Sequence, residues 1–307
     1  MTSKEIVLIT GATGFIGSKL VRRLCESGYR VRAMVIDNDL LRYKLDGLNC
    51  EIVKADITEP ATLQPCLEGV KTVFHLAAVL VSGNKELFHK INYQGTDNLV
   101  NASINAGVEH FVYISAAAAA YAKRTTYGKS KLKAESLMKR PGKTKFTIIR
   151  PTLLCGVDGG QEFNLYVNYL RQFPLIVPII GMGKARKRPV WVEDVVDGLG
   201  MVIDKPVTYG KTYNFSGGID MSMWEYTRFI CQTFRINKTL VGIPVWFCNS
   251  IAAIIAPFVK NPLLNKDTIL GVTMDANFDF AEARQDIGYH PIDTEERLRK
   301  VFASKDR

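Results

Sequence analysis

The run Ile6-Val-Leu-Ile-Thr-Gly-Ala-Thr-Gly-Phe-Ile-Gly17 joins a short apolar segment to three glycines with the spacing G-x-x-G-x-x-G. Successive apolar residues are typical of a parallel strand that is buried on both faces. Glycine permits a tight turn and a close approach of the backbone to a pyrophosphate, and the helix that follows offers its N-terminal N–H groups to the phosphates. The stretch therefore predicts a dinucleotide-binding turn, formed by Gly11, Thr13, Gly14, Phe15, Ile16 and Gly17.

Strand and helix patterns alternate through the first half of the chain. Strands are predicted at 6–9, 31–36, 51–54, 73–77 and 111–114, and helices at about 18–27, 62–68, 91–106 and 126–139. Such alternation indicates βαβ units. The predicted fold class is α/β: a Rossmann doubly wound parallel sheet with a smaller, partly interleaved C-terminal substrate domain.

The alternation becomes less regular after about residue 150, where prolines and glycines are frequent. We expect a dinucleotide-binding Rossmann domain at 1–150 and a substrate-binding region at 151–307. The segment Tyr213-Asn-Phe-Ser216 has the pattern of another strand, so residues 190–218 are expected to return to the sheet.

A nearly continuous apolar segment, Leu240–Val259, lies in the second region and is long enough to span a membrane. It contains Pro244 and Pro257, and a polar pair, Asn249 and Ser250, near its middle. We interpret it as an apolar helix that lines the substrate domain. Contact with a membrane or with a lipid-like substrate is the alternative.

An acidic residue shortly after the second strand decides the cofactor in dinucleotide folds, because its carboxylate binds the ribose 2′-hydroxyl. Asp37 lies 20 residues after Gly17 and fits this role, which favours NAD. Arg32 and Arg42 are close enough in sequence to bind a 2′-phosphate instead, so NADP stays open as the alternative.

Tyr127-Gly-Lys-Ser-Lys131 places a tyrosine and a lysine four residues apart in a predicted helix, and therefore on one helix face. An adjacent ammonium favours the phenolate form of a tyrosine and lowers its pKa from about 10. Tyr127 can then exchange a proton with a secondary alcohol while a nicotinamide exchanges the hydride.

The chain resembles the short-chain dehydrogenase/reductase superfamily, and within it the extended NAD-dependent epimerase/dehydratase family. The resemblance covers nearly the whole chain and rests on Thr10–Gly17, Ala55-Asp-Ile57, Phe74-His-Leu-Ala-Ala78, Asn92-Tyr-Gln-Gly-Thr96, Tyr127–Lys131, Arg150-Pro-Thr152, Val192-Glu-Asp194 and Ile287-Gly-Tyr-His-Pro291. It implies NAD(P)-dependent hydride transfer at a secondary alcohol or ketone carbon.

The resemblance also implies roles for residues outside the glycine-rich turn. Lys131 would hold the nicotinamide ribose in addition to assisting Tyr127. The other cofactor-binding residues implied are Asp56 and Ile57 beside the adenine, Ala77 and Ala78 along the cofactor channel, Asn92 beside the site, and Pro151.

One departure from the family concerns the hydroxyl that binds the substrate oxygen shortly after the fifth strand. The sequence here is Ser115 followed by five alanines. If Ser115 aligns with the family serine, the catalytic group is complete. If the family position lies one or two residues later, it holds alanine, and Thr125 or Thr126 would have to substitute. Losing one such donor typically costs about 10²–10³ in rate, so a cofactor-binding scaffold without turnover is kept as an alternative.

The substrate side contains four cations within five residues, Lys184-Ala-Arg-Lys-Arg188. The family resemblance implies that Lys187 or Arg188 contacts the diphosphate of a nucleotide sugar, a small-molecule substrate that suits the positive charge. The apolar segment Leu240–Val259 would instead suit a 3β-hydroxysteroid dehydrogenase-like enzyme acting on an apolar alcohol. We therefore expect a nucleotide-sugar epimerase, dehydratase or reductase, with the steroid-type oxidoreductase as the alternative.

Composition limits the remaining classes. Lys and Arg number 40 against 30 Asp and Glu, a net charge of +10 that favours anionic partners. The charge is spread along the chain without an aromatic-basic motif, which argues against nucleic acid. Six widely spaced cysteines, and an N-terminus without a secretory signal pattern, predict a cytoplasmic protein. Four distant histidines predict no metal site. We expect no firm membrane association and, by family analogy, a homodimer.

Overall fold

The computed structural model describes residues 5–156, 160–259 and 264–292. Its strands are, in chain order, β1 (Ile6–Thr10), β2 (Arg30–Val35), β3 (Cys50–Lys54), β4 (Val70–His75), β5 (His110–Ile114), β6 (Lys145–Pro151), β7 (Leu154–Cys155), β8 (Ile176–Ile180), β9 (Arg186–Lys187), β10 (Val190–Trp191), β11 (Thr212–Phe215), β12 (Met221–Ser222) and β13 (Thr239–Ile243). Seven of them form one parallel sheet in the order β11-β6-β5-β4-β1-β2-β3. The others pair as β7 with β10, β8 with β13, and β9 with β12.

The helices connect and cover these strands. They are α1 (Phe15–Glu26), α2 (Leu63–Cys66), α3 (Lys85–Leu87), α4 (Thr96–Asn105), α5 (Thr126–Glu135), α6 (Gln161–Gln172), α7 (Val192–Val202), α8 (Met223–Thr233), α9 (Val245–Ile255), α10 (Lys266–Thr273) and α11 (Ala281–Ile287). A π-helical segment, Phe88–Gly95, joins α3 to α4 without a break.

Strand order confirms the predicted doubly wound fold. The order reverses between β1 and β4, which opens a crevice at the carboxyl ends of these strands. Within the segment 190–218 that was expected to return to the sheet, β11 pairs with β6 at the sheet edge, whereas β10 pairs with β7 outside that sheet. Two details were wrong: the strand expected at 73–77 spans Val70–His75, and β6 was not predicted.

Both faces of the sheet are buried, as the apolar run in β1 requires. Val7 and Ile9 point into a core shared with α1 and α7, whereas Leu8 points into a second core shared with α4 and α5. The period of two along a strand sends alternate side chains to opposite faces. Helices on both sides therefore hold the carboxyl edge of the sheet in a fixed position.

A third apolar cluster lies in the region where substrate binding is predicted, and in it Cys155, Trp191 and Tyr226 are buried together with residues of α6 and α8. The expectation of a single helix over Leu240–Val259 was wrong. The segment forms strand β13 up to Ile243 and then helix α9, with Pro244 as the residue before the helix. Proline cannot donate a backbone hydrogen bond, yet it suits a helix start, so it divides the segment.

No helix in the described ranges is both long and apolar enough to cross a lipid bilayer. The apolar character of Leu240–Val259 is instead divided between a paired strand and a short helix.

We predict that two glycines of α7 respond in opposite ways to alanine. A Cβ at Gly198 would lie 2.6 Å from the ring of Phe215 and 2.8 Å from that of Tyr289, two rings that stack at 4.5 Å. Gly198→Ala is therefore expected to destabilise the fold by about 1–3 kcal/mol. At Gly200 a Cβ meets open space, so Gly200→Ala should stabilise it by about 0.5–1 kcal/mol.

Urea unfolding of the two variants beside the parent protein measures both effects. Equal behaviour of the two variants would contradict the close packing of α7 on β11 and on the segment that follows α11.

Candidate active site

The glycine-rich turn lies at the carboxyl end of β1 and packs directly on the chain that follows β4. Gly11 has a φ of +64°, and a Cβ there would lie 2.8 Å from the backbone nitrogen of Ala77. A Cβ at Gly17 would lie only 2.0 Å from the carbonyl oxygen of Gly11. Gly14 precedes α1, which begins at Phe15 and continues through Ile16 without an acidic residue in its first turn. The helix N-terminus is thus suited to a pyrophosphate.

Two aspartates follow β2, and the second one contacts the glycine-rich turn. Thr13 Oγ1 donates to Asp39 Oδ2 at 2.7 Å. Asp37, the residue chosen from the sequence, is exposed and pairs with Lys54 at 3.0 Å. Sequence reasoning missed Asp39, although the run Asp37-Asn-Asp39 offered it as a neighbouring candidate. Both carboxylates lie at the end of β2, where a ribose is bound in dinucleotide folds.

The two arginines that could favour a 2′-phosphate differ in their surroundings. Arg32 donates from Nε to Glu51 at 2.9 Å and from Nη1 to the carbonyl oxygens of Cys66 and Glu68. Its guanidinium is therefore held inside the fold. Arg42 is exposed on the short helix after β2.

The predicted adenine and channel residues follow β3 and β4. Asp56 Oδ1 accepts a hydrogen bond from the backbone of Thr58 at 2.7 Å, and Ile57 is buried. Ala77 donates its backbone N–H to Thr10 Oγ1 at 3.2 Å, and Ala78 follows it, half-buried. These positions lie on the same sheet edge as the glycine-rich turn, because the carboxyl ends of parallel strands share one edge.

A buried chain of hydrogen bonds connects this edge to the π-helical segment. Thr10 Oγ1 lies 2.7 Å from His75 Nδ1, and His75 Nε2 lies 2.9 Å from Thr96 Oγ1. Thr96 donates onward to the carbonyl oxygen of Asn92. Burial lowers the pKa of His75 to about 3, and the nearby Lys131 adds to this effect. The imidazole is therefore neutral, so one of its ring nitrogens donates a hydrogen bond while the other accepts one. Sequence reasoning quoted His75 only as part of a motif.

Asn92 links α5 to the chain that follows β4. Its Oδ1 accepts from the backbone of Val79 at 2.8 Å, and its Nδ2 donates to Ser130 Oγ at 3.0 Å. Ser130 precedes Lys131 on α5, so the π-helical segment and α5 are joined beside the site. Single π-helical turns often occur where a helix must place a side chain at a functional site.

Tyr127 and Lys131 lie one turn apart on α5, as the sequence spacing requires. Lys131 is only 2% exposed. Its Nζ donates to the carbonyl oxygen of Ile114 at 2.6 Å and lies 4.3 Å from the ring centroid of Tyr113. The lysine therefore reaches the carboxyl end of β5, beside the crevice.

Burial controls the charges of this pair. It lowers the pKa of the Lys131 ammonium to about 7, an effect that Glu135 partly offsets. It also raises the pKa of the Tyr127 phenol above its ordinary value, and the negative charge of Glu162 and the nearby Tyr121 add to this. Glu162 was not found by sequence reasoning, because it comes from α6. A charged Lys131 would oppose the shift at Tyr127.

Ser115 takes part in a buried ion-pair network. Its Oγ donates to Glu135 Oε1 at 2.6 Å, and Arg150 donates to the same carboxylate from Nε and Nη2 at 2.8 and 2.5 Å. The network ties α5 to the ends of β5 and β6. The next residue, Ala116, is extended, and Ala117–Ala120 form a short 3₁₀ turn. The role of Ser115 towards a substrate stays a prediction.

The two cations predicted on the substrate side have different environments. Lys187 is 4% exposed, and its Nζ donates to the carbonyl oxygens of Gly271 and Met274. Arg188 has a buried Nε without a hydrogen-bond partner among the described residues. Thr152, which follows Pro151 at the end of β6, donates to the carbonyl oxygen of Arg188. Of the two, only Arg188 has a buried donor for which the described residues provide no partner.

Helix α10 contacts the start of α5. The Asp267 carboxylate accepts from the backbone N–H of Thr126, the residue before Tyr127, at 3.2 Å. Thr125 caps the same helix by accepting from Gly128. No sequence signal pointed to Asp267, because 141 positions separate it from Thr126.

Comparison with known proteins gives the context of this geometry. The NAD dependent epimerase/dehydratase family matches residues 7–216. The UDP-glucose 4-epimerase of Vibrio cholerae is 25% identical over 94% of this chain and 91% of its own length. The 3 beta-hydroxysteroid dehydrogenase/Delta 5→4-isomerase of Mycobacterium tuberculosis is 25% identical over 94% of this chain and 86% of its own.

A solved structure shares the fold. MoeE5 in complex with UDP-glucose and NAD has a TM-score of 0.74 and covers 98% of this chain and 99% of that chain, at 22% identity. The family match spans more than half of the sequence and includes the glycine-rich turn, Tyr127 and Lys131. With this arrangement at the crevice of a doubly wound sheet, the chain belongs to the NAD-dependent epimerase/dehydratase family.

Proposed function

We propose that the protein is an NAD-dependent enzyme that transfers hydride at a secondary alcohol or ketone carbon of a nucleotide sugar, as an epimerase, dehydratase or reductase. The observation that carries the reaction type is the pair Tyr127 and Lys131, placed by α5 at the end of β5, beside the crevice. Family membership supports NAD as the cofactor. NAD, when bound, accepts the hydride from the carbinol carbon or returns it.

The chain's own residues supply the proton chemistry. Tyr127 takes the proton from the alcohol oxygen as the hydride leaves, and returns it in the reverse direction. Lys131 lies one helix turn from Tyr127, and when its ammonium is charged it would favour the phenolate. Asn92 and Glu135 position the helix that carries both residues, through Ser130 and through Ser115 and Arg150.

Arg188 supports a nucleotide sugar as the substrate. A buried guanidinium nitrogen without a partner is costly to leave unpaired, and a diphosphate oxygen would satisfy it. The UDP-glucose 4-epimerase relative acts on a substrate of this class. The ammonium of Lys187 donates hydrogen bonds to two backbone carbonyl oxygens, so this residue would contribute to the shape of the site.

A dehydrogenase of a steroid-like alcohol is the second candidate. The exposed apolar helix α9 and the steroid dehydrogenase relative favour it. We further infer a cytoplasmic homodimer. The six cysteines are all free thiols, which supports a reducing compartment, and the dimer rests on family analogy alone.

We predict that UDP-sugars, rather than sterols, give cofactor reduction or inversion in a substrate panel, and that Tyr127→Phe lowers kcat/KM for the active substrate at least about 100-fold. The matched control is Tyr209→Phe. Tyr209 packs on His110 at the amino end of β5, away from the crevice. Removal of its hydroxyl should therefore leave kcat/KM nearly unchanged. Turnover of sterols alone would replace the nucleotide-sugar proposal by the second candidate. Equal activity of the two variants would exclude the assigned role of Tyr127.

We predict that the buried ammonium of Lys131 lowers the free energy of unfolding of the protein. Its folded-state pKa of about 7 lies below the ordinary value of 10.5, so between these values the unfolded chain binds more protons. Stability of the parent protein should therefore rise with pH across this range. Lys131→Met should be more stable than the parent by on the order of a few kcal/mol at pH values below the folded pKa.

That advantage should shrink as the pH approaches the ordinary lysine value. Urea unfolding of both proteins across this range measures it, with kcat/KM recorded in parallel, because the variant should lose activity. A stability difference that does not change with pH would show that Lys131 keeps its ordinary pKa.

Cofactor choice is predicted to follow the carboxylates after β2. NADH should bind at least about tenfold more tightly than NADPH, since a 2′-phosphate would approach Asp37 and Asp39. Asp39→Asn and Asp37→Asn, compared by fluorescence titration of both cofactors, identify which carboxylate discriminates. A tenfold preference for NADPH in the parent protein would overturn the assignment of NAD.

A further inference from the structure

Glu162 lies in the first turn of α6, at the end of this helix that is nearest the glycine-rich turn. A Cβ at Gly160, the residue before α6, would lie 3.2 Å from the ring of Phe15, so this end of α6 packs beside the start of α1. The next residue, Phe163, is buried in the same apolar cluster as Trp191. Glu162 is therefore held between the turn predicted to bind the cofactor and the region predicted to bind the substrate.

The helical period turns Glu162 towards the protein interior. Tyr166 lies one turn further along α6 and therefore on the same face. Its ring stacks on that of Tyr226 of α8, with centroids 5.9 Å apart and planes inclined by 19°, and its hydroxyl bonds to Thr227 of the same helix. The Glu162 face of α6 is thus the face that packs on α8. The Glu162 side chain is nevertheless exposed to solvent, which indicates an open cleft on this side of the helix.

Titratable groups from three other parts of the chain interact with the Glu162 charge. Burial raises the pKa of three phenols, and the negative charge of Glu162 adds to this rise at Tyr121, Tyr127 and Tyr226. Desolvation also raises the pKa of the Glu162 carboxyl itself, and the Lys187 ammonium opposes that rise. The Nζ of Lys187 lies 5.5 Å from the ring centroid of Tyr121. Because charges interact more weakly with distance, these groups surround one space.

A carboxylate at this place does not assist the proton transfer. Its negative charge opposes the phenolate form of Tyr127, which the reaction uses. A carboxylate does, however, accept hydrogen bonds from several hydroxyl groups at once, and phenols donate or accept them. A sterol ring system would leave the Glu162 carboxylate desolvated without a partner, which is costly. The groups around this cleft are therefore complementary to a polyhydroxylated ligand.

We propose that Glu162 is a specificity-determining residue, whose carboxylate accepts hydrogen bonds from hydroxyl groups of the sugar ring and excludes a sugar that carries a carboxylate of its own. A second carboxylate would meet a like charge in a partly desolvated cleft, where repulsion is stronger than in water. This inference rests on the proposed function. It narrows the substrate class of the site to neutral nucleotide sugars.

The exposure of the two charged groups decides which of them a ligand meets. Lys187 is buried, and its Nζ donates to the carbonyl oxygens of Gly271 and Met274. Glu162 is exposed in the cleft. The ammonium therefore stabilises the carboxylate from within the protein, whereas the carboxylate faces the ligand. A negatively charged sugar ring would encounter Glu162 rather than Lys187.

Three nucleotide sugars test the proposal by calorimetric titration of the full chain saturated with NAD. UDP-glucose, UDP-xylose and UDP-glucuronate differ only in the group on C5 of the ring, which is a hydroxymethyl group, a hydrogen atom or a carboxylate. We expect the Kd of UDP-glucuronate to exceed that of UDP-glucose at least about 100-fold, because of the like charges. UDP-xylose has no charge on its ring and should bind much more tightly than UDP-glucuronate.

Two variants of Glu162 separate its charge from its shape. Glu162→Gln removes the charge with little change of volume and should lower the ratio of the UDP-glucuronate Kd to the UDP-glucose Kd at least about tenfold. Glu162→Asp keeps the charge and should keep a high ratio. The matched control is Glu109→Gln, which makes the same change in net charge at an exposed position before β5, away from the crevice. Its ratio should equal that of the parent protein.

The pH profile of kcat/KM for UDP-glucose gives a readout that a purely structural role would not change. Removal of a negative charge that acts on Tyr127 lowers the pKa of its phenol, so the limb governed by Tyr127 should move to lower pH in Glu162→Gln. In Glu109→Gln it should not move. Both variants keep the other titratable groups around the start of α5, namely Tyr121, Lys131, Lys187 and Asp267.

The outcomes distinguish a failure of this inference from a failure of the proposed function. Equal Kd values for UDP-glucose and UDP-glucuronate in the parent protein would overturn the role of Glu162 and leave a nucleotide-sugar enzyme. An equal change of the Kd ratio in Glu162→Gln and Glu109→Gln would assign the effect to net charge and overturn it as well. If none of the three nucleotide sugars binds, the proposed function itself is wrong, and the inference fails with it.

Discussion

The close contact between the two ends of the glycine-rich turn is the constraint on which the rest of the fold depends. Any side chain at Gly17 would collide with the carbonyl oxygen of Gly11, so only glycine lets α1 start directly above β1. The same closeness presses the turn onto Ala77 and leaves the N-terminus of α1 open towards the crevice. One steric requirement thus sets the packing of the first helix and the approach of the two strand ends, at the turn where we propose that the cofactor phosphates bind.

A second requirement is to hold α5, the helix of Tyr127 and Lys131, in place without using these two side chains as the anchors. Glu135 does this on the side of β5 and β6, and Asn92 does it on the side of the π-helical segment. The buried network costs desolvation, which is offset because each partner is hydrogen-bonded. Lys131 remains the exception: its ammonium is buried with one carbonyl oxygen and one ring, so the structure tolerates a charge that is less stable than it would be in water. Perturbed groups of this kind are concentrated at functional sites.

Outside the sheet, the region where substrate binding is predicted is held by contacts between elements that are far apart in the sequence. Lys187 joins β9 to α10, and Asp267 joins α10 to the start of α5, so a segment late in the chain holds a helix that forms much earlier in the sequence. Helix α10 also carries α9 with its exposed apolar face. One short helix, α10, therefore contacts Lys187, the start of α5 and helix α9.

The sequence by itself determined the features that depend on local pattern. Glycine spacing determined the β1–α1 turn, apolar periodicity determined the parallel strands, and the spacing of four determined that Tyr127 and Lys131 share a helix face. Tertiary structure alone decided that Thr13 binds Asp39, that Ser115 binds Glu135, and that Lys187 faces carbonyl oxygens. It also divided Leu240–Val259 into a strand and a helix, since hydropathy is the same for both. The physical reason is that hydrogen-bond partners and burial are set by residues distant in sequence, whereas turn sterics and helix periodicity act within a few residues.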